Sequence, residues 1–318
     1  MPHQRQRLDL LAALSGVMIS LQARANGELS DRLDNGLQAA LVSFGSGLIV
    51  IAVIALFNPS IKIGIRKIRG AAKAKELPRW TLFAGTLGGT FVAVQTHIVP
   101  IIGVAVYSVA SIAGQTATSL LVDRIGMTGG GKKKITRRRI GAAVFTIMAV
   151  LVSVLDRIDA RNLSILAVFL AGVAGAIVGI QRAMNGQINE KSQQSFATSL
   201  LNFAMGTSLL VIVLGVAVLF SREKIVALPA GPWWIYTGGV IGVIYIAFTS
   251  TIVQHLGVLT FTLFSVGGQL VGSLLIDLYS PSAGVQVSYY LVAGILMTYL
   301  GVIVGGVGNL RMPKSVKR

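Results

Sequence analysis

Gly114–Asp123 reads GQTATSLLVD, and Gly268–Asp277 reads GQLVGSLLID. The two stretches lie 154 residues apart and share Gly, Gln, Ser, Leu-Leu and Asp in one register. The same offset aligns Trp80 with Trp234, Gly85 with Gly239, Gly88 with Gly242 and Gly103-Val104 with Gly257-Val258. Further upstream the offset is 159. There Gly16–Gly27 (GVMISLQARANG) aligns with 175–186 (GAIVGIQRAMNG), matching Gln22 to Gln181, Asn26 to Asn185 and Gly27 to Gly186. Ser43-Phe44-x-x-Gly47 then aligns with Asn202-Phe203-x-x-Gly206. Matches over four consecutive apolar segments indicate a chain built from two related halves.

The medium of those segments follows from composition. The chain has 318 residues, 53% hydrophobic and only 12% charged. Soluble proteins carry about 25% charged residues. So little charge cannot cover a water-facing surface, and the chain belongs in a bilayer. A spanning helix needs about 20 largely apolar residues. Ten segments qualify, near 8–29, 36–57, 79–99, 102–125, 139–155, 163–187, 195–220, 232–254, 256–278 and 286–308, with short turns expected at Pro100 and His255. The predicted fold is an all-α polytopic membrane protein. Five helices fall in 8–156 and five in 162–308, followed by a basic cytoplasmic tail, 309–318. Five is odd, so the second half enters from the opposite side, giving an inverted-topology repeat.

The net charge of +17 reports orientation. Threading ten spans places 21 basic residues on the side of the termini and 5 on the other. The positive-inside rule makes the former side cytoplasmic. The basic start and apolar run of the N-terminus imitate a signal peptide. Recurrence of the same pattern in mid-chain argues against that reading. Cysteine is absent, which removes disulfides and thiolate chemistry. His3, His97 and His255 are too few and too scattered for an imidazole metal cluster. No metal or cofactor is expected.

Function must then rest on uncharged polar residues. Gln115 and Gln269 fall near the midplane, about 16 Å in by helical rise. Each is followed at i+4 by Ser119 or Ser273 and at i+8 by Asp123 or Asp277, forming one stripe per helix. Two readings stand: substrate binding at the repeat interface, or hydrogen bonding between helices. Gln22 with Asn26 and Gln181 with Asn185 are i,i+4 pairs that suit opposite gates. The Asn-Gly steps equally suit helix stops, and that reading is favoured for the asparagines. Arg24 and Arg182 are the only basic residues within helix segments. They suit anion binding or gating, but snorkelling to the interface is preferred. Asp123 and Asp277 sit at helix C-terminal ends, against the dipole, and Asp277 lacks a sequence-local partner. Asp and Glu are absent from helix centres, so a carboxylate proton relay is not visible. His97 and His255 are not repeat-equivalent and read as bundle residues. Gly85/Gly89, Gly238/Gly242, Gly268/Gly272 and Gly301/Gly305 are small-xxx-small packing pairs.

Several matches carry less. Gly126–Lys133 (GMTGGGKK) ends in Lys where a phosphate loop needs Ser or Thr. Asn162-Leu-Ser164 fits a common glycosylation pattern but abuts a helix. Lys132–Lys134 with Arg137–Arg139 lack interleaved aromatics and precede a span, so nucleic acid is not expected. Ile61–Arg69 (IKIGIRKIR) suits either anionic headgroups or a solvated loop.

The repeated Q-x-x-x-N-G, the W-x-x-x-x-G-x-x-G region and the G-Q-x-x-x-S-L-L-[VI]-D segment resemble the YdcZ-type branch of the drug/metabolite transporter (DMT) superfamily. The resemblance covers nearly the whole chain. It implies an EamA-like fold of two five-helix halves and membrane transport. Small multidrug resistance relatives use a glutamate in their first helix. This chain has Gln22 there, and nothing in Leu10–Gly27 is acidic. The expected function is a secondary transporter, an exporter of a small polar or amphipathic solute by alternating access. The alternative is a non-transporting scaffold, binding lipid or partners through its basic loops. An enzyme is not expected, since HExxH, GxSxG and intramembrane Asp pairs are missing. The expected partners are the solute and membrane lipids, anionic headgroups among them; a homodimer is compatible.

Overall fold

The structure, a computed structural model, describes residues 2–127, 136–153, 155, 165–256, 258–280 and 287–306. Lys132–Lys134, the Asn162 sequon, the tail 309–318 and the side chains of His3 and His255 lie outside them. The described residues are helical, without strands. Ten α-helices are described: α1 (Pro2–Leu33), α2 (Gly36–Phe57), α3 (Pro59–Lys73), α4 (Ala84–Ile125), α5 (Arg137–Ser153), α6 (Ile165–Ser192), α7 (Ser195–Leu219), α8 (Gly238–Leu256), α9 (Val258–Tyr279) and α10 (Tyr289–Gly306). Short 3-10 turns at Arg79–Phe83 and Trp233–Tyr236 lead into α4 and α8. Four segments are long and apolar enough to cross a membrane: Gly36–Phe57, Arg79–Ile125, Ile165–Ser192 and Ser195–Leu219. Leu56, Phe57, Ile165, Phe169, Ile212 and Leu219 are exposed, while Gln22, Asn26, Gln115, Gln181, Asn202 and Gln269 are buried. Polar groups inside and large apolar groups outside suit a hydrocarbon surround.

The same turn joins the first two helices of each half. Asp34 and Gln193 adopt φ of 49° and 53°. The next residues, Asn35 and Gln194, then cap α2 and α7 by accepting the Gln38 and Phe196 amides. Such caps satisfy amides that a helix start otherwise leaves orphaned.

Helix approach is reciprocal as well. A Cβ on Gly16 would stand 1.8 Å from the Ser265 carbonyl oxygen, and one on Gly175 1.8 Å from that of Ser111. Likewise, Gly268 meets the Ala13 carbonyl and Gly114 that of Gly172, each at 1.8 Å. These glycines let α1 lie backbone to backbone on α9, and α6 on α4. Glycine-mediated contact is a packing solution suited to lipid, where the hydrophobic drive between helices is absent.

Two elements differ from expectation. The break between the third and fourth segments falls at Gly103 rather than Pro100 and divides α4 into two helical stretches. Gly103 has φ 79° and ψ 165°, a conformation essentially reserved for glycine. Pro100 stays in the helix, because its fixed φ is helical. Ile61–Arg69 belongs to a helix, α3, rather than a loop. Ile61, Gly64, Ile68 and Ala72 are buried on one face, while Lys62, Arg66, Lys67 and Arg69 are exposed. The spacing of the apolar positions is that of an amphipathic helix, and α3 packs on α6 and α7.

Candidate functional site: a central cavity between paired glutamines

The buried faces of α1, α2, α4, α6, α7 and α8 meet at Phe44 and Phe203, whose ring centroids are 5.0 Å apart. These are equivalent residues of the two repeats. Each ring lies over the other half's glycine: a Cβ on Gly47 would come 2.2 Å from the Phe203 ring, and one on Gly206 2.2 Å from the Phe44 ring. Gln22 and Gln181 flank this stack. Gln22 Nε2 donates to the Gly238 carbonyl at 3.0 Å, and Gln181 Nε2 donates to Asn202 Oδ1 at 3.1 Å. Opposite each amide stands a glycine, Gly242 for Gln22 and Gly88 for Gln181. The partners differ because the repeat has Ser43 where the second half has Asn202. Asn202 in turn donates to Asn185 Oδ1 at 2.6 Å.

The cavity so formed holds about 30 Å³ and is lined by Gln22, Gln181, Asn202, Phe44, Phe203, Phe91 and Tyr245 together with aliphatic side chains. That is room for one water molecule. The cavity lining combines two carboxamide ends with an aromatic wall.

Not every expected site residue joins this cavity. Gln115 and Gln269 are buried but lie elsewhere. Gln115 donates to Ser111 Oγ at 3.0 Å, on its own helix. Gln269 offers its backbone carbonyl to Ser20 Oγ at 2.8 Å, and its carboxamide has no partner among the described residues. Ser119 and Ser273 bond back to Thr116 and Leu270 in their own helices. Their neighbours are the close seams of α4 on α6 and α9 on α1.

Asn26 and Asn185 do not stop their helices, which run on to Leu33 and Ser192. Both side chains are buried and bonded, Asn26 to Gln95 at 3.2 Å and Asn185 to Asn202. A carboxamide engaged across the bundle is not available as a cap. The following Gly27 faces Val99 closely instead.

The two internal arginines part company. Arg24 pairs with Glu28 at 2.9 Å, donates to Ser280 Oγ at 2.9 Å and lies over Trp234. It borders an open apolar groove of about 830 Å³ between α1, α8 and α9. Arg182 does not snorkel. It is 1% exposed and donates to the Tyr245 hydroxyl and Thr262. The sequence gives its distance from a helix end but not the neighbours that close over it.

Asp277 finds the partner its sequence lacks. Its carboxylate accepts the Val104 amide at 3.3 Å and the Ala105 amide at 2.7 Å. The Gly103 break creates a helix N-terminus in mid-α4, and a carboxylate suits that end of the dipole. Asp123 is buried on the same helix. His97 is exposed, bonds the Ala93 carbonyl and packs on Gly36.

Tyr245, Asn202 and the Phe44–Phe203 pair also line the cavity, beyond the residues expected from the sequence. The phenylalanines carried a signal, since a conserved position of the repeat held an aromatic in both halves. Tyr245 carried the same signal, because the 154-residue offset aligns it with Phe91, which also lines the cavity.

Among curated proteins none matches the chain. Among solved structures, 16 chains match. One, titled "Crystal structure of protein", superposes with a TM-score of 0.58 at 14% identity, covering 94% of this chain and 95% of that one. That likeness establishes a shared fold. The family model DMT_YdcZ, described as "Putative inner membrane exporter, YdcZ", matches residues 8–152 and 166–304. The chain therefore belongs to the YdcZ family of the drug/metabolite transporter superfamily, a family of membrane exporters.

Proposed function

We propose that the protein is a secondary transporter that exports a small polar or amphipathic solute across the inner membrane by alternating access. In this reading ten spans form two five-helix halves of opposite topology, 8–156 and 162–308, with both termini cytoplasmic. The 21-to-5 distribution of basic residues supports the orientation.

The observation that carries the proposal is the reciprocal bracket of Gln22 and Gln181 around the Phe44–Phe203 stack. Inverted repeats place their substrate sites at the repeat interface. The cavity holds about 30 Å³, so the solute enters when the halves rock apart. The glycine contacts of α1 on α9 and of α4 on α6 supply smooth surfaces for such rocking. Gln115 and Gln269, with Ser119 and Ser273, then serve the seams.

Flux of a metabolite panel in proteoliposomes tests the proposal. Flux above protein-free liposomes, lost in Gln22→Leu and Gln181→Leu, is the expected result. Its absence for every solute sinks the transport reading.

The exposed basic face of α3 favours a second reading, a scaffold engaging anionic lipid or a partner. Neutralising Lys62, Arg66, Lys67 and Arg69 would then abolish a deletion phenotype's rescue, while cavity variants would rescue fully.

A further inference from the structure

Arg182 is the largest fully buried side chain of the described residues, at 1% exposure. Its Nε donates to the Tyr245 hydroxyl at 3.0 Å and its Nη1 to Thr262 Oγ1 at 3.4 Å. The guanidinium lies 5.2 Å from the centre of the Phe261 ring. Nη2 is buried and has no hydrogen-bond partner among the described residues. The ion pairs among the described residues join Glu28 to Arg24 and Arg32, and Glu76 to Lys191, so none reaches Arg182.

A guanidinium keeps its proton in a protein, so the charge persists. An unpaired ion away from water is strongly disfavoured. Two neutral oxygens and an aromatic face reduce that penalty without cancelling the charge. Packing does not require the group: the repeat-equivalent position holds Ala23, fully buried. Arg182 departs from the repeat here, and it reaches the cavity through its neighbours rather than lining it. Tyr245, which it bonds, and Gln181, its chain neighbour, both line that cavity.

We infer that Arg182 recognises an anionic group on the transported solute, and that the solute is a monoanion: a carboxylate on an apolar body. This inference rests on the transport reading of the central cavity. One negative charge neutralises the buried site, and a neutral complex is the easiest to enclose. A phosphate monoester, with about 1.5–2 charges at neutral pH, would overcompensate it. Phe44, Phe91 and Phe203 supply the apolar wall for the body. The free Nη2 supplies the donor for the anion.

The test measures the melting temperature of the purified full-length protein with benzoate and 3-methylbutanoate, each beside its neutral carboxamide and matching amine. A ligand stabilises the state that it binds. Saturable upward shifts are expected for the carboxylates and much smaller ones for the amides and amines. This comparison needs only the wild-type protein. Arg182→Gln should weaken carboxylate affinity at least tenfold, about 1.4 kcal/mol. Equal shifts for carboxylate and amide, no shift with either carboxylate, or unchanged carboxylate binding in Arg182→Gln overturns the inference. Flux separates the two claims. Carboxylate binding with no solute flux retains the anion site and removes the transport reading. Flux of amides or amines, unaffected by Arg182→Gln and without carboxylate binding, retains transport and removes the anion site.

Discussion

Phe44 and Phe203 stack at 5.0 Å, and each ring covers the glycine three residues beyond the other, Gly206 and Gly47. Four residues thus interlock the two halves, and no Cβ fits beneath either ring without displacing it.

Gly47→Ala and Gly206→Ala should each destabilise the protein by about 1–3 kcal/mol, the usual range for overpacking. The double variant should fall short of the sum, because both substitutions push the same ring pair. Thermal unfolding in detergent measures all three. A fully additive double variant would separate the two contacts.

Asp277→Ala should be more destabilising than Asp277→Asn. The Asp277 carboxylate accepts the Val104 and Ala105 amides at the break in α4. Loss of a cap typically costs about 0.5–2 kcal/mol, and Asn retains an acceptor while losing the charge. Gly103→Ala should also destabilise, by roughly 1–3 kcal/mol for a residue held in a sparsely populated region. Melting temperatures rank the three variants.

Gln22→Leu and Gln181→Leu should each abolish or strongly reduce flux while leaving folding intact, as judged by elution profile. Gln115→Leu should keep flux, since Gln115 bonds within its own helix, away from the cavity. The reverse ranking would move the solute to the α4 seam.

Replacing Lys62, Arg66 and Arg69 by Gln should weaken association with anionic vesicles. An apolar groove of about 510 Å³ lies between α2, α3 and α7, with these three cations among its lining residues. Each basic residue near an anionic surface contributes about 1 kcal/mol. The effect should fade as ionic strength rises. Liposome flotation across a salt series measures it, and salt-independent binding would point to the apolar groove instead.

Medium, helical class and family are legible in the residues alone. Low charge and high hydropathy exclude a water-facing fold, and the Gln, Trp and Gly-Gln motifs carry the family resemblance that the family model bears out. The repeat also shows which residues are equivalent between halves, and so which contacts could be reciprocal. Which polar residues meet depends on how the helices pack. Gln22 and Gln115 are both buried within helices, yet only Gln22 lines the central cavity. Arg182 could have snorkelled, and Asp277 had no visible partner. In each case sequence supplies depth along a helix. The rotation of the helix about its axis comes from packing against neighbours distant in sequence. That rotation buries Arg182 against Tyr245 and brings Asp277 to the amides freed at Gly103.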